Sequence, residues 1–262
     1  MKYLALIFTI LTGPVLAQES FDCVMDPAEL VQVGSPVAGL LAQVNVRRGQ
    51  QIAAGDVIAE LTSEFEAATI GLLEARASSH AALDAQRARL ELTQGRYERT
   101  RELMERGVTT QDAMAEVEAE LVTAQSLVAQ AELEQDVAAR ELDRARAALD
   151  QRIIRSPIDG LVFERRLTSG EYLTSDGYVT SLVQLDPLHV EAFLPVELFA
   201  EVAEGQNVTI RPAPPIGGVY QGTVTVRDRV FDAASGTFGV RVELPNPNGV
   251  LPAGHRCLLD LE

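Results

Sequence analysis

Apolar residues recur every seven positions along residues 64–150, a stretch that contains no proline. Its second half carries two interleaved rows, and its first half carries one apolar row beside a row of small or polar residues. Alternating steps of three and four residues place two such rows on one stripe of a helix, as a coiled-coil seam requires. The rows are Met114, Leu121, Val128, Gln135, Leu142 and Leu149, then Val117, Ala124, Ala131, Ala138 and Ala145, and in the first half Leu83, Leu90, Tyr97 and Met104 beside Ser79, Gln86, Thr93 and Thr100. The pattern predicts two long helices that pack against each other.

A short break separates the two halves at residues 106–110. Gly107 suits the left-handed position that ends a helix, and Thr109 or Thr110 can cap the helix that follows. The break predicts an antiparallel hairpin with about 40 residues in each arm, which at 1.5 Å per residue makes each arm roughly 60 Å long. Ser63 and Glu66 have the spacing of a capping box, which predicts the start of the first helix.

β-type patterns flank the predicted hairpin on both sides. Residues 21–63 and 151–186 each contain short apolar runs separated by glycines, which predict strands. The two flanks also repeat one motif, because Ser35–Leu40 has the sequence SPVAGL and Ser156–Leu161 has the sequence SPIDGL. The repeat predicts two half-motifs that pair into one small β-sandwich, with the hairpin inserted between them.

These residues carry a resemblance to a known family. The paired Ser-Pro-x-x-Gly half-motifs resemble the halves of a lipoyl/biotinyl-like barrel-sandwich hybrid domain. Such a domain split by a long coiled coil resembles the periplasmic adaptor subunits, or membrane fusion proteins of the HlyD-like family, of tripartite efflux pumps, above all those of RND type. The resemblance implies an α+β multidomain fold: a barrel-sandwich hybrid of residues 21–63 and 151–186, a coiled-coil hairpin of residues 64–150, and a small β-barrel domain of residues 187–262.

The resemblance implies a non-enzymatic function. Adaptors of this family link an inner-membrane transporter, of RND or ABC type, to an outer-membrane channel for efflux across the cell envelope. It also implies a homo-oligomeric ring whose hairpins form a tube, and no cofactor. An alternative stays open at this point: a periplasmic scaffold or interaction protein that uses the same hairpin to bind another helical partner.

The hairpin tip resembles the docking end of these adaptors, which have an Arg, a Leu four residues later and a Ser seven residues beyond. Arg99, Leu103 and Thr110 have this spacing, with Thr in place of Ser. An arginine can donate several hydrogen bonds to carbonyl groups at a partner's helical tips, and a leucine can fill a groove between helices. The simpler alternative is that Leu103 lies beside the seam and that Thr110 only caps a helix.

The first residues of the chain predict export. Lys2 precedes an apolar run of about 14 residues that ends at Ala17, the pattern of a secretory signal peptide over residues 1–17. The run contains Pro14 and is shorter than the roughly 20 residues that span a bilayer. We expect cleavage after Ala17 and a periplasmic protein associated with its inner-membrane transporter; an uncleaved anchor is the alternative.

The predicted export affects how the two cysteines, Cys23 and Cys257, are interpreted. Disulfides persist in oxidising compartments, so we expect a bond between these residues, which would join the two ends of the exported chain. The alternative is two separate small buried residues.

Composition and residue inventory exclude other functions. A formal net charge of -16 argues against nucleic acid, whose phosphates require clustered Lys and Arg. A lipoyl or biotinyl carrier needs an acceptor lysine, and Lys2, inside the predicted signal peptide, is the only lysine in the chain. His80, His189 and His255 have no second ligand at metal-site spacing, and no nucleophile or phosphate-loop motif is present. The sequence therefore predicts no enzyme, no metal site and no cofactor.

Overall fold

The computed structural model describes residues 19–261, so the predicted signal peptide lies outside the described residues. The described chain forms two β-domains and one helical hairpin, which confirms the predicted α+β fold. In chain order the elements are β1 (Ser20–Val33), β2 (Gly39–Val44), β3 (Gln51–Ile52), β4 (Val57–Leu61), α1 (Glu64–Ala77), α2 (Ala81–Glu105), α3 (Gln111–Asp150), β5 (Ile153–Arg155), β6 (Gly160–Arg165), β7 (Tyr172–Leu173), β8 (Thr180–Pro195), a 3-10 helix (Val196–Ala200), β9 (Asn207–Pro212), β10 (Tyr220–Arg227), β11 (Thr237–Leu244) and β12 (His255–Leu261).

The two sequence repeats interlock in the barrel-sandwich hybrid. Strand β3 of the first repeat pairs with β6 of the second, and β7 of the second pairs with β2 of the first. The turn glycines follow the same symmetry: the Gly49 N–H donates to the Val162 carbonyl at 2.8 Å, and the Gly170 N–H donates to the Leu41 carbonyl at 2.7 Å. Both glycines have a positive φ, 82° and 87°, at which a side chain would be strained. Each half therefore completes the sheet of the other.

The second β-domain is an antiparallel barrel. Its strands follow the order β1, β12, β9, β10, β11 and β8, and a pairing between β1 and β8 closes it, which leaves no open strand edge. Inward side chains fill its core: Phe238, Val240 and Val242 on β11 are at most 1% exposed. Strand β8 is followed by the short 3-10 helix Val196–Ala200.

Strands β1 and β8 form one antiparallel ribbon that runs through both β-domains. Residues 20–25 of β1 pair with β12 in the barrel, whereas residues 29–33 pair with residues 180–184 in the barrel-sandwich hybrid. The register shifts just after Pro27, where the ribbon passes from one domain to the other. Strand β1 thus contributes to both domains, although the sequence had placed residues 21–63 in the sandwich alone.

The first arm of the hairpin differs from its prediction. The second arm, α3, is one uninterrupted helix of 40 residues, but the first arm is divided into α1 and α2 by a break at residues 78–80. At the break the Ser78 hydroxyl donates to the Ala75 carbonyl at 3.3 Å. Serine side chains that bond to nearby backbone groups compete with helical hydrogen bonds. The prediction of one long helix in this arm is therefore wrong.

The predicted seam holds the two arms together. Every α3 position of the two heptad rows is buried or half-buried, and Ala124 and Ala138 are only 3% exposed. Ion pairs between exposed side chains cross the seam at N···O distances of 2.8 to 3.0 Å: Arg76–Glu141, Arg87–Glu132, Arg96–Glu120 and Arg146–Glu74. Each such surface pair contributes at most about 1 kcal/mol.

The root of the hairpin is fastened to the barrel-sandwich hybrid. Helix α1 begins at Glu64 as predicted, but Ser63 makes no side-chain cap, so the predicted capping box is wrong. The Glu66 carboxylate accepts a 2.5 Å hydrogen bond from Arg152 instead, in a mostly buried ion pair. The Ser35 hydroxyl of the first repeat donates to the Gln151 carbonyl, just after α3, at 3.3 Å.

Cys23 and Cys257 lie opposite each other on β1 and β12, and a disulfide joins them. Both residues are buried, and their Cα atoms are 4.8 Å apart. The bond fastens the first strand of the barrel to its last. Among residues 19–261, no helix is both long and apolar enough to cross a membrane.

Candidate partner-binding surfaces of the hairpin

A Schellman motif fixes the shape of the hairpin tip. The Val108 N–H donates to the Leu103 carbonyl at 2.9 Å, and the Gly107 N–H donates to the Met104 carbonyl at 2.9 Å, the two bonds that define this helix end. Gly107 has a φ of 75°, the left-handed conformation predicted for it. The turn is therefore an ordered surface at the far end of both arms.

The structure places the three predicted docking residues around this turn. Arg99 and Leu103 are separated by one turn of α2; Arg99 forms no ion pair with any described residue, and Leu103 is 43% exposed. Thr110 caps α3, because its Oγ1 accepts the Ala113 N–H at 3.2 Å. That bond leaves the hydroxyl proton of Thr110 free to be donated. The predicted cap is thus confirmed, while docking by the trio stays a prediction.

Val108 is a further tip residue that was not predicted from the sequence. It follows Gly107 in the turn and is 72% exposed. An apolar side chain held outward by an ordered turn suits an apolar groove on a partner. The available signal was that Val108 is the only large apolar residue between Arg106 and Thr110.

The side of α3 opposite the seam carries a second apolar stripe, which the heptad rows had not revealed. This back stripe consists of Ala115, Ala119, Val122, Ser126, Ala129 and Leu133. Its members are also spaced by alternating four and three residues, so they share one face of the helix. No charged residue belongs to it, and Val122 and Leu133 are 57% and 62% exposed. An exposed stripe of this kind is a candidate packing surface for another helix.

A row of uncharged residues follows the outer side of α2 at the same height along the hairpin, with exposed acidic residues beside it. The row is Ala85, Ala88, Leu92 and Gly95, of which Leu92 is 73% exposed, and Asp84 and Glu91 are its acidic neighbours. The ion pairs at Arg87–Glu132 and Arg96–Glu120 set Leu92 level with the middle of the back stripe. The two helices differ in the charges near these surfaces. Helix α2 contains several arginines, whereas no Lys or Arg occurs between Arg106 and Arg140, the part of the chain that includes the back stripe.

Side chains with shifted pKa values lie in the β-domains, away from the hairpin. A side-chain hydrogen bond with Tyr178 raises the pKa of Arg166, whose guanidinium also stacks 4.7 Å from the Tyr178 ring centroid. A hydrogen bond from the Thr174 side chain lowers the pKa of Asp176. Both groups are exposed and lie in the connection between β6 and β8, so these contacts help to order that connection.

The histidines lie in different parts of the fold. The His80 ring contacts Gln135 across the seam at 2.5 Å, the His255 ring contacts the Ala213 carbonyl at 2.8 Å, and His189 is on β8. Within residues 19–261, no group of three His, Cys, Asp or Glu side chains has a geometry that could hold a metal ion.

The fold and the long hairpin together define a class of protein: a barrel-sandwich hybrid and a β-barrel that carry a coiled-coil arm. A family model described as "CzcB-like, barrel-sandwich hybrid domain" matches residues 29–183, more than half of the chain. The chain belongs to this family. The resemblance to membrane fusion proteins of efflux pumps is thereby confirmed.

Curated relatives are longer than this chain. The cobalt-zinc-cadmium resistance protein CzcB of Cupriavidus metallidurans is 26% identical over 211 residues, which are 80% of this chain and 38% of the relative. The multidrug resistance protein MdtE of Escherichia coli is 26% identical over 248 residues, which are 87% of this chain and 60% of the relative. The chain therefore spans less than two thirds of each.

Solved structures share the fold. MacA from Actinobacillus actinomycetemcomitans has a TM-score of 0.79 at 22% identity, covering 94% of this chain and 79% of MacA. The membrane fusion protein Spr0693 from Streptococcus pneumoniae R6 has a TM-score of 0.60 at 14% identity, covering 93% of this chain and 98% of Spr0693.

Proposed function

We propose that this chain is a non-enzymatic periplasmic adaptor that links an inner-membrane transporter, of RND or ABC type, to an outer-membrane channel for efflux. The observation that supports this most is the hairpin, whose second arm has 40 residues and is about 60 Å long. A projection of this length buries little beyond its own seam, so it adds reach rather than stability. The relatives' names, which refer to metal and multidrug resistance, agree with export.

The hairpin tip is the proposed contact with the channel. Arg99 offers unpaired N–H donors to carbonyl groups at the ends of a partner's helices, and the Thr110 hydroxyl offers one more. Leu103 and Val108 add exposed apolar area beside these donors. The tip thus offers both hydrogen-bond donors and apolar surface for an end-to-end contact with the helical tips of a channel.

A photo-cross-linker at the tip tests this contact. With p-benzoyl-phenylalanine in place of Val108, we expect a covalent product with an outer-membrane channel in living cells of the native host. The same reagent at Leu133, exposed in mid-arm, serves as the control and should not capture the channel. A product with some other helical protein at position 108 would favour a periplasmic scaffold, and no product there would contradict tip docking.

The homo-oligomeric ring is supported by the two outer sides of the hairpin. Around a ring axis parallel to the hairpin, residues at equal height meet, so Leu92 of one copy would face Ser126 in the back stripe of the next. We expect the Leu92→Cys/Ser126→Cys variant to form disulfide-linked multimers under mild oxidation. Leu72→Cys/Ser126→Cys, whose first residue is equally exposed but nearer the root, should stay monomeric. Monomers from both variants would contradict side-by-side packing.

A further inference from the structure

A second exposed apolar feature lies on the barrel. Residues 228–236 connect β10 to β11 and are here called the barrel-end loop. This loop contains Val230 and Phe231, whose side chains are exposed. Val230 is 86% exposed, more than any other large apolar residue in the described part of the chain, and Phe231 is 47% exposed. Interaction sites are marked by apolar residues that are exposed side by side, and Val230 and Phe231 are consecutive in the chain.

The barrel-end loop and the hairpin root lie at opposite ends of the ribbon formed by β1 and β8. Thr237, the first residue after the loop, pairs with Pro195 at the last position of β8. The hairpin root instead contacts Ser35, just past the last residue of β1. Because β1 has 14 residues, the two ends of the ribbon can lie up to about 45 Å apart. The loop is therefore remote from the proposed channel-binding tip.

The barrel-end loop has a fixed conformation. The Phe231 ring packs edge-on against the Phe199 ring, with centroids 4.9 Å apart. The Arg227 guanidinium stacks 4.2 Å from the centroid of Phe199 and donates to two carbonyls near the 3-10 helix, at 2.8 and 2.7 Å. The Asp232 carboxylate accepts the Ala234 N–H at 2.8 Å. A surface that is ordered before binding loses little conformational entropy on contact.

Acidic residues are frequent in the barrel-end loop and in the segment next to it. They come from the loop itself and from the segment around the 3-10 helix, which adjoins it through the hydrogen bond from the Val196 N–H to the Gly236 carbonyl at 3.1 Å. The acidic residues are Asp228, Asp232, Glu197, Glu201 and Glu204. Arg229 is the only cation within the loop. An excess of acidic over basic residues in this region disfavours contact with anionic membrane headgroups and favours contact with a basic protein surface.

We propose that Val230 and Phe231 insert into an apolar pocket with a basic rim on the periplasmic surface of the inner-membrane transporter. The inference rests on the proposed adaptor function. It names the residues that would contact the transporter and the kind of transporter surface that they would contact. The apolar pair would supply most of the affinity, as anchors in a central pocket do. The carboxylates would set the orientation and speed the encounter.

Site-specific cross-linking in the native host tests this contact. With p-benzoyl-phenylalanine in place of Val230, we expect a product with an inner-membrane transporter, joined to a periplasmic peptide flanked by Lys or Arg. Val250 is the matched control, because it is also an exposed valine, at 67%, but lies in the loop at the other end of the barrel. Position 250 should give no transporter product. A second copy of the chain, an outer-membrane protein or no product at position 230 would overturn the inference.

Charge substitutions and a vesicle-binding assay distinguish contact with the transporter from contact with a lipid surface. We expect Val230→Asp to lower co-purification of that transporter about tenfold, as loss of a central anchor does, and Val250→Asp to leave it unchanged. Purified chain should not sediment with phosphatidylglycerol vesicles; sedimentation that Val230→Asp abolishes would overturn the inference in favour of a lipid surface. If position 108 captures the channel while position 230 fails, only this inference is wrong. If both positions fail, the adaptor function is wrong as well.

Discussion

The barrel and the hairpin are held together by different interactions. The barrel packs large side chains such as Phe238, Leu194 and Ile210, all at most 1% exposed, whereas the most buried hairpin positions are alanines between exposed ion pairs. Full burial of a large apolar side chain stabilises by about 1.5–3 kcal/mol, and an exposed ion pair by at most about 1 kcal/mol. The barrel therefore depends on a few large contributions, and the hairpin on many small ones. The difference suits a compact base and a long arm.

The largest expected effect is in the barrel core. Phe238→Ala removes a ring that packs against Phe199, with centroids 5.3 Å apart, and leaves a cavity. We expect a loss of about 3–5 kcal/mol in the free energy of unfolding, measured by urea titration. The control Val230→Ala, at an exposed site, should change it by less than about 0.5 kcal/mol. Equal effects at both sites would contradict a barrel stabilised by its core.

The disulfide is the next largest contribution. Its cysteines are 234 positions apart, and in the chain-entropy model the bond stabilises mainly by restricting the unfolded chain. We expect Cys23→Ser/Cys257→Ser to lose about 2–5 kcal/mol in the barrel transition, with the helical circular dichroism of the native state unchanged. Alkylation followed by intact mass measurement checks the bond itself, and two reactive thiols in the native exported protein would contradict it.

The same Ala-to-Leu change should have different effects on the stability of the hairpin at the two faces of α3. Ala131→Leu forces a larger side chain into the seam, where Ala131 is 8% exposed, and should cost about 1–3 kcal/mol in the helical transition. Ala129→Leu makes the same change on the back stripe and should alter the stability of the monomer by less than about 0.5 kcal/mol. Thermal unfolding followed at 222 nm distinguishes them. If both variants were equally destabilised, the assignment of seam and back stripe would be incorrect.

The smallest effect is expected for a single ion pair across the seam. Glu120→Gln removes the charge that pairs with Arg96 at 2.8 Å, and we expect a loss below about 1 kcal/mol that shrinks further at high salt. The same thermal measurement at low and high ionic strength checks it. A loss that exceeds that of Ala131→Leu would mean that charges, rather than the seam, hold the arms together.

Features with a repeated spacing could be predicted from the sequence. The heptad rows gave the seam, and the SPVAGL and SPIDGL motifs gave two halves that interlock. The break at residues 78–80 could not be predicted in this way, because Ser79 occupies a regular position of its heptad row. The sharing of β1 between two domains was equally hidden, since strand pairing is decided by tertiary contacts and not by local pattern.

The candidate site was only partly predictable. Arg99, Leu103 and Thr110 were proposed because their spacing resembles the docking end of the family's adaptors, and Thr110 was also predicted to cap a helix. Val108 and Val230 were not found, because an apolar residue becomes informative only when its exposure is known. The back stripe was overlooked for a related reason: its small residues resemble an ordinary solvated helix face until the fold leaves them without a partner.

Export by the Arg99→Asp variant tests the adaptor function most directly. The variant would replace the chromosomal copy in the native host, and growth would be measured with metal salts and drugs to which a deletion strain is sensitive. We expect the variant to be as sensitive as the deletion strain, with unchanged helical circular dichroism, because Arg99 is exposed and makes no ion pair with a described residue. Arg144→Asp, the same change at an exposed site near the root, should retain export. Wild-type export by Arg99→Asp would contradict docking through the hairpin tip.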